Sequence, residues 1–598
     1  MSFESTSNAD IAAQEREKSR SFFFRINQES HKFFEHTIHK NWVCIGIVIL
    51  FSLVTFLAPI AFWGIPSGLD LETDLRFASA YMDAIRHGTL LTAWANDGGG
   101  FGSIGVRFYP PLPFITLALT QLATQNWFTS LCLNLTLWMV VGGIGMFYLC
   151  RQWGSPMQST AAAVIYAVVP GRLNEIFQYV LYAEFAAWAI LPFCFLFLSR
   201  VCERRRWSDA FALATTSALL VLTHIPTTII AALVFPIFTL FLIERSSLKK
   251  TLVQLGFAFV VTLLATAFRL VILVNELSWL AHNDSRYISG FYETSSWLFP
   301  AVLVPHKLLL LVIGSWISDI TVALTVILLV PSLIVAWNGR LVTSDRLRIV
   351  IRAMLFTALF VFFMVSRLSE PIWRYFSLLQ KIQFPWRMLS VLSIMAVVGL
   401  SLSIPILTQT YPRLRRTILY SIVFFVVLMS LFDYTQLMYP SAPYTHKQFD
   451  KLVSELTTKP IWEGWWPIWA KSEAFRNESK VSVSNRDVKI FEWDSADRVF
   501  KVRGGEPQEI RVATFFYPYW KATVNGAPAQ VSKDENGTII IPISSQESEV
   551  HLFFEEPVIE RLAIWVSLLT WIAVAFGLVA LFRNRFRLGR LLDKPVGL

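Results

Sequence analysis

The sequence carries little charge for its size. Of its 598 residues only 16% are Asp, Glu, Lys or Arg, whereas 54% are hydrophobic and 15% are aromatic. A single globular core of that composition would expose too much apolar surface to water. Apolar stretches of about 16 to 25 residues instead recur along the chain, close to the length that crosses a bilayer as a helix. The sequence therefore predicts an integral membrane protein.

Cysteine is also scarce, and several familiar signals are missing. The five cysteines lie in or beside apolar stretches without metal-site spacing, so no disulfide framework is expected. The first forty residues lack a signal peptide's apolar core and cleavage site, so the segment from Trp42 is expected to be a retained anchor. The net charge of +10 comes from short basic clusters rather than one basic face, which argues against nucleic-acid binding.

These basic clusters predict an orientation, because short cytoplasmic loops are rich in Lys and Arg. They lie at 204–206, 249–250, 413–416 and 583–590. Placing them inside puts both termini in the cytoplasm and predicts about twelve spans, at 42–63, 128–150, 155–170, 183–200, 208–223, 226–243, 251–275, 318–338, 350–366, 388–407, 418–435 and 562–582. Two shorter stretches, 112–123 and 302–313, are expected to be re-entrant or interfacial helices; counted as spans they would bring the number to fourteen.

A polar segment before the last span predicts a small β-domain. Apolar and polar residues alternate at 488–493, 498–502, 509–515, 538–543 and 550–554, and Asn-Gly pairs at 525–526 and 536–537 are hairpin-turn signals. The expected organisation is then a cytoplasmic tail (1–41), a transmembrane domain (42–438) with a first extracytoplasmic loop (64–111), an extracytoplasmic β-domain (439–560), a last span (561–582) and a basic cytoplasmic tail (583–598).

The first extracytoplasmic loop contains the residues best suited to catalysis. Asp74, with Asp70 in reserve, could act as general base on an acceptor hydroxyl or bind a divalent cation such as Mg²⁺ or Mn²⁺. The alternative is ordinary solvated loop charge. Trp94 and Tyr109 are expected to shape a sugar or acceptor site. The glycine run at 98–102 is no phosphate-binding loop, because no strand precedes it and no Gly-Lys-Ser/Thr follows; it indicates close backbone approach.

Three more candidates lie on the same predicted face. Glu184 stands where a span begins, a costly position for a carboxylate unless it is paired or functional, and Arg172 could be its partner or a phosphate ligand. His224 lies between two apolar helices. With no second ligand at metal spacing, a hydrogen bond from His224 to a phosphate or sugar is favoured over metal binding.

The segment Gln-Phe-Pro-Trp-Arg at 383–387 predicts phosphate recognition. Arg387 offers a bidentate guanidinium fork, and Trp386 suits the depth of lipid headgroups. The alternative is a membrane-interface anchor whose arginine extends toward water.

Several motifs together resemble a known family. They are Asp-Leu-Arg-Phe at 74–77, Phe-Tyr-Pro-Pro-Leu at 108–112, Thr-His-Ile-Pro at 223–226 and Gln-Phe-Pro-Trp-Arg at 383–387. They resemble the 6-pyruvoyl-tetrahydropterin synthase-related integral membrane proteins, which are similar to the GT-C superfamily of polytopic glycosyltransferases. Residues 517–526 are similar to a hairpin in YfhO-like membrane proteins.

The resemblance implies a polytopic α-helical, GT-C-like enzyme of the bacterial inner membrane, with Asp74 as the catalytic Asp. It implies a polyprenyl-phosphate sugar as donor and an extracytoplasmic glycan, lipid or protein as acceptor. The chain departs from the family at Ala78, where a histidine is often found, and His87 is a poor substitute. A transporter or flippase for a lipid-linked glycan, and an inactive GT-C-like assembly protein, are the alternatives.

Overall fold

The computed structural model describes residues 41–68, 70–284, 320–438, 443–456, 458–477 and 479–592. This part of the chain is mostly helical, with a small β-domain before the last helix. In chain order its helices are α1 (Asn41–Trp63), α2 (Leu71–Arg86), α3 (Gly105–Phe108), α4 (Leu112–Thr124), α5 (Trp127–Cys150), α6 (Pro156–Ala167), α7 (Pro170–Phe177), α8 (Tyr182–Arg204), α9 (Trp207–Val221), α10 (Ile225–Leu242), α11 (Leu248–Ala265), α12 (Ala267–Glu276), α13 (Val330–Trp337), α14 (Asp345–Val365), α15 (Glu370–Tyr375), α16 (Ser377–Gln380), α17 (Leu389–Thr410), α18 (Arg415–Met438), α19 (His446–Glu455) and α20 (Val558–Leu592).

Ten helical segments within the described ranges are long and apolar enough to cross a bilayer. They include α1, α5, α8, α10, α11, α14, α17, α18 and α20, together with the segment Ile320–Trp337 that ends with α13. The prediction of a polytopic helical membrane protein is confirmed. The predicted stretch 302–313 and most of the N-terminal tail lie outside the described residues.

Two predicted spans are shorter in the structure than the sequence indicated. The expected span 155–170 becomes α6, with 12 residues, because Pro170 begins a separate helix. The expected span 208–223 becomes α9, with 15 residues. At 1.5 Å per residue these helices reach about 18 and 22 Å, less than the roughly 30 Å hydrocarbon core. Helix α4, with 13 residues, is as short as predicted.

The predicted span 251–275 is wrong as a single helix. It breaks at Thr266, where φ is −115° and ψ is 10°, and the Thr266 hydroxyl donates to the carbonyl of Thr262 at 2.8 Å. The second piece, α12, carries Arg269 and Glu276, and both bond residues of the first loop. Those buried polar contacts explain why the chain turns away from a continuous apolar helix here.

The β-domain consists of two antiparallel sheets, and all five predicted strands are present. The strands are β1 (Val481–Ser482), β2 (Val488–Trp493), β3 (Asp497–Val502), β4 (Gln508–Phe515), β5 (Trp520–Val524), β6 (Ala527–Ala529), β7 (Ser532–Lys533), β8 (Thr538–Ile543) and β9 (Ser548–Phe554). Their orders are β1-β4-β8-β7 and β2-β3-β9-β5-β6. Asn525 and Gly526, with φ of 51° and 79°, turn the chain from β5 into β6, as predicted.

The first loop packs against the β-domain, and we call the contact region between loop residues 94–107 and the β-domain the joint. Trp94 is fully buried there, with its ring 5.4 Å from the ring of Trp520 and 6.3 Å from that of Phe554. Gly102 has φ of +76°, and a Cβ on it would lie 1.9 Å from Nε1 of Trp94. The glycine run therefore lets the backbone pack closely against Trp94. This confirms the prediction that the run permits close backbone approach.

A buried ionic network closes the joint. Nε of Arg107 lies 2.6 Å from Oε2 of Glu276, its Nη1 lies 2.6 Å from Oε1 of Glu556, and its Nη2 bonds Glu560. The hydroxyl of Tyr517 donates to Glu276 at 2.5 Å. Arg107 thus connects the first loop to α12, to the β-domain and to the last helix.

Candidate functional site

The two candidate acids stand at the start of α2. Asp70 precedes the helix and Asp74 follows one turn later, its backbone N–H donating to the Asp70 carbonyl at 2.8 Å. Asp74 is buried, and the backbone N–H of Tyr182 bonds its carboxyl group. Burial, and then the charge of Asp70, raise the pKa of Asp74 well above its usual range. Burial likewise raises the pKa of Asp70, while Arg387 opposes the rise.

Arg387 is the cation whose charge opposes the rise in the pKa of Asp70. Its Nε lies 2.8 Å from Oε2 of Glu184, and both side chains are buried. Its Nη1 donates to the carbonyl of Ile382 at 3.0 Å and to Oε1 of Gln383 at 2.9 Å. Gln383 has φ of 68°, an unfavourable value for a residue with a side chain, so the neighbouring fold holds it in place. The guanidinium is therefore pre-positioned before any substrate binds.

The predicted pairing of Arg172 with Glu184 is wrong, because Arg387 takes that place. Arg172 is fully buried, and its Nη2 donates to the carbonyls of Trp138 and Met139 at 3.1 and 3.2 Å. Its guanidinium carbon lies 4.6 Å from the ring centre of Tyr166. These contacts hold Arg172 between helices, while its buried Nε and Nη1 have no hydrogen-bond partner among the described residues. The phosphate contact expected for Arg172 stays a prediction.

Tyr109 and Glu175 complete what we call the carboxylate–arginine cluster, defined by Asp70, Asp74, Tyr109, Glu175, Glu184 and Arg387. Burial raises the pKa of the Tyr109 hydroxyl well above its usual range, and Asp70, Asp74 and Glu184 raise it further while Arg387 opposes. Burial, followed by the charge of Glu184, raises the pKa of Glu175 in the same way. These mutual effects show that the six side chains share one electrostatic environment.

Glu175 was missed as a site residue by the sequence reasoning. It is 2% exposed, and its Oε2 has no hydrogen-bond partner among the described residues. The argument applied to Glu184, a carboxylate beside apolar helices, would also have selected Glu175, since α7 lies directly before α8.

His224 and Trp386 lie next to the cluster. His224 is buried, its Nδ1 is 2.8 Å from the hydroxyl of Thr227, and burial together with Arg387 lowers its pKa. The imidazole is therefore neutral and able to donate or accept a hydrogen bond. The ring of Trp386 stacks 5.6 Å from that of Tyr179 and lies 5.9 Å from the guanidinium carbon of Arg387.

Trp94 belongs to the joint rather than to this cluster, which corrects its prediction as a sugar-binding residue. The position of the family's histidine is occupied by Ala78, which is fully buried on α2. His87 does not replace it, because His87 is largely exposed and lies 3.4 Å from Asp494 of the β-domain.

The described residues do not form a ready-made set of ligands for a divalent cation. Among the described residues, no group of three His, Cys, Asp or Glu side chains is arranged to hold a metal ion. The cluster nevertheless combines four carboxyl groups with one guanidinium in a buried space. That imbalance raises the pKa of the carboxyls, so the chemistry that these residues provide by themselves is proton transfer beside a fixed positive charge.

Comparisons with known proteins agree with a membrane-protein family. The family described as the 6-pyruvoyl-tetrahydropterin synthase related domain, a membrane protein, matches residues 106–437. No curated protein matches the chain in sequence.

Solved structures with detectable similarity include ArnT and an archaeal oligosaccharyltransferase. ArnT from Cupriavidus metallidurans, bound to undecaprenyl phosphate, is 13% identical with a TM-score of 0.40, and the alignment covers 69% of this chain and 78% of that one. The oligosaccharyltransferase AglB from Archaeoglobus fulgidus, in complex with an inhibitory peptide and a dolichol-phosphate, is 12% identical with a TM-score of 0.39, over 71% of this chain and 60% of that one.

Proposed function

This chain belongs to the membrane-protein family of the 6-pyruvoyl-tetrahydropterin synthase related domain, and from that membership we propose that it is a GT-C-like glycosyltransferase. In this proposal it transfers a sugar from a polyprenyl-phosphate donor to an extracytoplasmic glycan, lipid or protein. The observation that supports the proposal best is the carboxylate–arginine cluster, where a buried carboxyl oxygen of Asp74 lacks a hydrogen-bond partner among the described residues and the charge of Arg387 acts on the neighbouring Asp70.

Asp74 acts as the general base on the acceptor. Its carboxylate takes the hydroxyl proton while the acceptor oxygen forms a bond to the anomeric carbon of the sugar. Because burial raises the pKa of Asp74, its carboxylate is a stronger base than that of an ordinary aspartate. Asp70 contributes by raising that pKa and stands in reserve.

Arg387 binds the departing phosphate. As the bond between the anomeric carbon and the phosphate oxygen breaks, the electron pair stays on that oxygen, and a fixed guanidinium stabilises the negative charge. Its Nε and Nη1 are engaged by Glu184, Ile382 and Gln383, whereas no hydrogen bond between described residues uses Nη2. His224 and Trp386 flank the phosphate, and Tyr109 flanks the acids. No step requires a metal ion, although Asp70 and Asp74 are the residues that would contact one.

The proposed orientation places the cluster outside the bacterial inner membrane and the basic clusters inside, following the positive-inside bias. A transporter for lipid-linked glycans would instead need charges near the middle of several spans. Three charged residues lie within or beside predicted spans and could indicate such a transporter. Arg269 bonds Tyr81 and the first loop, and Asp433 lies two residues from the end of its span at Thr435. Asp319 lies outside the described residues.

The test uses the full-length protein in lipid nanodiscs with a panel of polyprenyl-phosphate monosaccharides and envelope glycans. Asp74→Asn is expected to lower transfer roughly 10²- to 10⁴-fold while leaving binding of polyprenyl phosphate unchanged. Asp83→Asn is the matched control, because Asp83 lies on the same helix with its side chain 45% exposed. Equal transfer by the Asp74 variant and this control would remove Asp74 from the mechanism.

A second measurement separates donor binding from chemistry. Arg387→Gln is expected to weaken binding of polyprenyl phosphate by about 10- to 100-fold, the loss of one charge-assisted hydrogen bond. Unchanged binding would place Arg387 in a purely structural pair with Glu184.

A further inference from the structure

A second polar concavity lies far from the carboxylate–arginine cluster. Trp337, Asn338, Gly339, Arg340, Arg348 and Arg352 line a cavity of about 380 Å³. It is formed by the connection between the candidate span Ile320–Trp337 and α14, together with the first turns of α14. Arg340 and Arg352 are exposed there and Arg348 is half-buried, and their like charges repel each other.

The arginines of this cavity are only partly satisfied by the protein. Arg348 donates from Nη2 to the carbonyl of Val342 at 2.8 Å and pairs with Asp345 at 3.0 Å. Its buried Nε has no hydrogen-bond partner among the described residues. Within the same ranges, Arg340 and Arg352 form neither an ion pair nor a hydrogen bond. The cavity therefore offers guanidinium donors and an uncompensated positive charge.

The cavity is at the membrane face opposite to the carboxylate–arginine cluster. Helix α14 begins beside the cavity, and its other end approaches the turn Pro385–Met388 that carries Arg387. The 21 residues of α14 place these two ends about 31 Å apart. An anion in the cavity is therefore not a substrate of the carboxylate–arginine cluster.

Trp337 indicates where the cavity lies in the bilayer. It ends an apolar span, and it is 95% exposed in the isolated chain. Tryptophan at the end of a membrane helix favours the headgroup region, because its ring is apolar and its N–H is polar. An arginine cavity beside such a residue is at the depth of lipid phosphates.

We propose that the cavity formed by Arg340, Arg348 and Arg352 binds the phosphate headgroup of an anionic membrane phospholipid. The guanidinium forks match phosphate oxygens, and Trp337 contacts the adjoining glycerol and acyl region. The depression is open to its surroundings, so a headgroup can reach the guanidinium groups.

The test is native mass spectrometry of the full-length protein released from nanodiscs that contain phosphatidylglycerol and phosphatidylcholine in equal amounts. The double variant Arg340→Gln/Arg352→Gln is expected to weaken retention of phosphatidylglycerol roughly 10- to 30-fold, at about one tenfold step or less per arginine. Arg340→Lys/Arg352→Lys keeps the charge and is expected to restore only part of the retention, because lysine lacks the fork.

The matched control is Arg415→Gln/Arg416→Gln. It removes the same charge from exposed residues at the start of α18, on the same membrane face but outside the cavity. Equal losses in the two glutamine variants would reduce the effect to general surface charge and overturn the proposal. Full displacement of phosphatidylglycerol by glycerol phosphate would show that the cavity selects a soluble phosphate instead. Retention that is unaffected in a correctly folded cavity variant would also overturn it.

Discussion

Two groups of buried carboxyls surround arginines in this molecule, and they differ in how completely they are bonded. In the joint, Arg107 contacts Glu276, Glu556 and Glu560 directly, and Tyr517 adds a hydroxyl donor. In the carboxylate–arginine cluster, Arg387 forms an ion pair with Glu184 alone among the described residues. Buried carboxyl oxygens without a hydrogen-bond partner in the described part of the chain belong to Asp74, Glu175 and Glu184 in the cluster, and to Glu560 in the joint.

This difference in bonding suits the two groups to different roles, one structural and one chemical. A network in which every carboxylate pairs with the same cation holds its elements in one arrangement, because those pairs are lost when the elements separate. Carboxyls without such a pair cost stability, and proteins keep them mainly where a ligand or a proton completes them. The joint therefore anchors the β-domain, whereas under the proposed function a substrate or a proton completes the cluster.

The largest loss of unfolding free energy is expected when the ionic network of the joint is removed. Arg107→Leu leaves three glutamates without their cation in a buried space, and we expect a loss of about 3–5 kcal/mol in unfolding free energy. Thermal unfolding of the purified protein in detergent measures it. Arg503→Leu is the control, because the Arg503–Asp487 pair is exposed and worth about 0–1 kcal/mol. Similar shifts for the two variants would show that the joint does not hold the domains together.

An intermediate effect should distinguish the two groups directly through a matched pair of substitutions. Glu276→Gln breaks a bonded ion pair and should lower the unfolding free energy by about 1–3 kcal/mol. Glu175→Gln removes an unpaired buried carboxyl and should leave stability unchanged or slightly raised. Chemical denaturation of both variants at neutral pH gives the comparison. A larger loss for Glu175→Gln would mean that Glu175 has a structural bond and that the proposed distinction fails.

Much of the fold could be predicted because apolar length and alternation are local signals. The β-domain strands and the Asn525-Gly526 hairpin follow from residues close in sequence. The break at Thr266 could not be predicted, since it depends on Arg269 and Glu276 bonding residues of the distant first loop. Hydropathy alone does not contain such contacts.

For the candidate site, the sequence was informative about the charged residues but not about the aromatic ones. The motifs selected Glu184 and Arg387, which form a buried ion pair, and Asp74, which is buried next to Asp70, because charged residues at span ends are unusual enough to stand out. Their functional roles stay predictions. The motifs did not distinguish Trp94 from Tyr109, since both are aromatic residues of the same loop. Only packing against Trp520 and Phe554 assigns Trp94 to the joint.

The smallest effect concerns Asp97, a carboxyl in the joint whose pKa is raised more by burial than it is lowered by Arg76. Burial raises its pKa from 3.8 to about 6, although its Oδ2 accepts a hydrogen bond from Ser103 at 2.8 Å. Because the folded-state pKa is the higher one, the folded state is favoured below pH 3.8 and loses stability as the pH rises to 6. That loss is at most about 3 kcal/mol, and packing changes reduce it further.

Asp97→Asn keeps an oxygen for Ser103 and removes the titration. Unfolding temperatures measured between pH 4 and pH 7 should therefore fall less steeply with rising pH in this variant than in the natural protein. Asp487→Asn, at an exposed position, serves as the control. If the two variants show the same dependence on pH, Asp97 is solvated, and the joint is more open at the glycine run than its contacts indicate. The distinction between the paired carboxylates of the joint and the unpaired carboxyls of the cluster would then rest on Arg107 and its three glutamates alone.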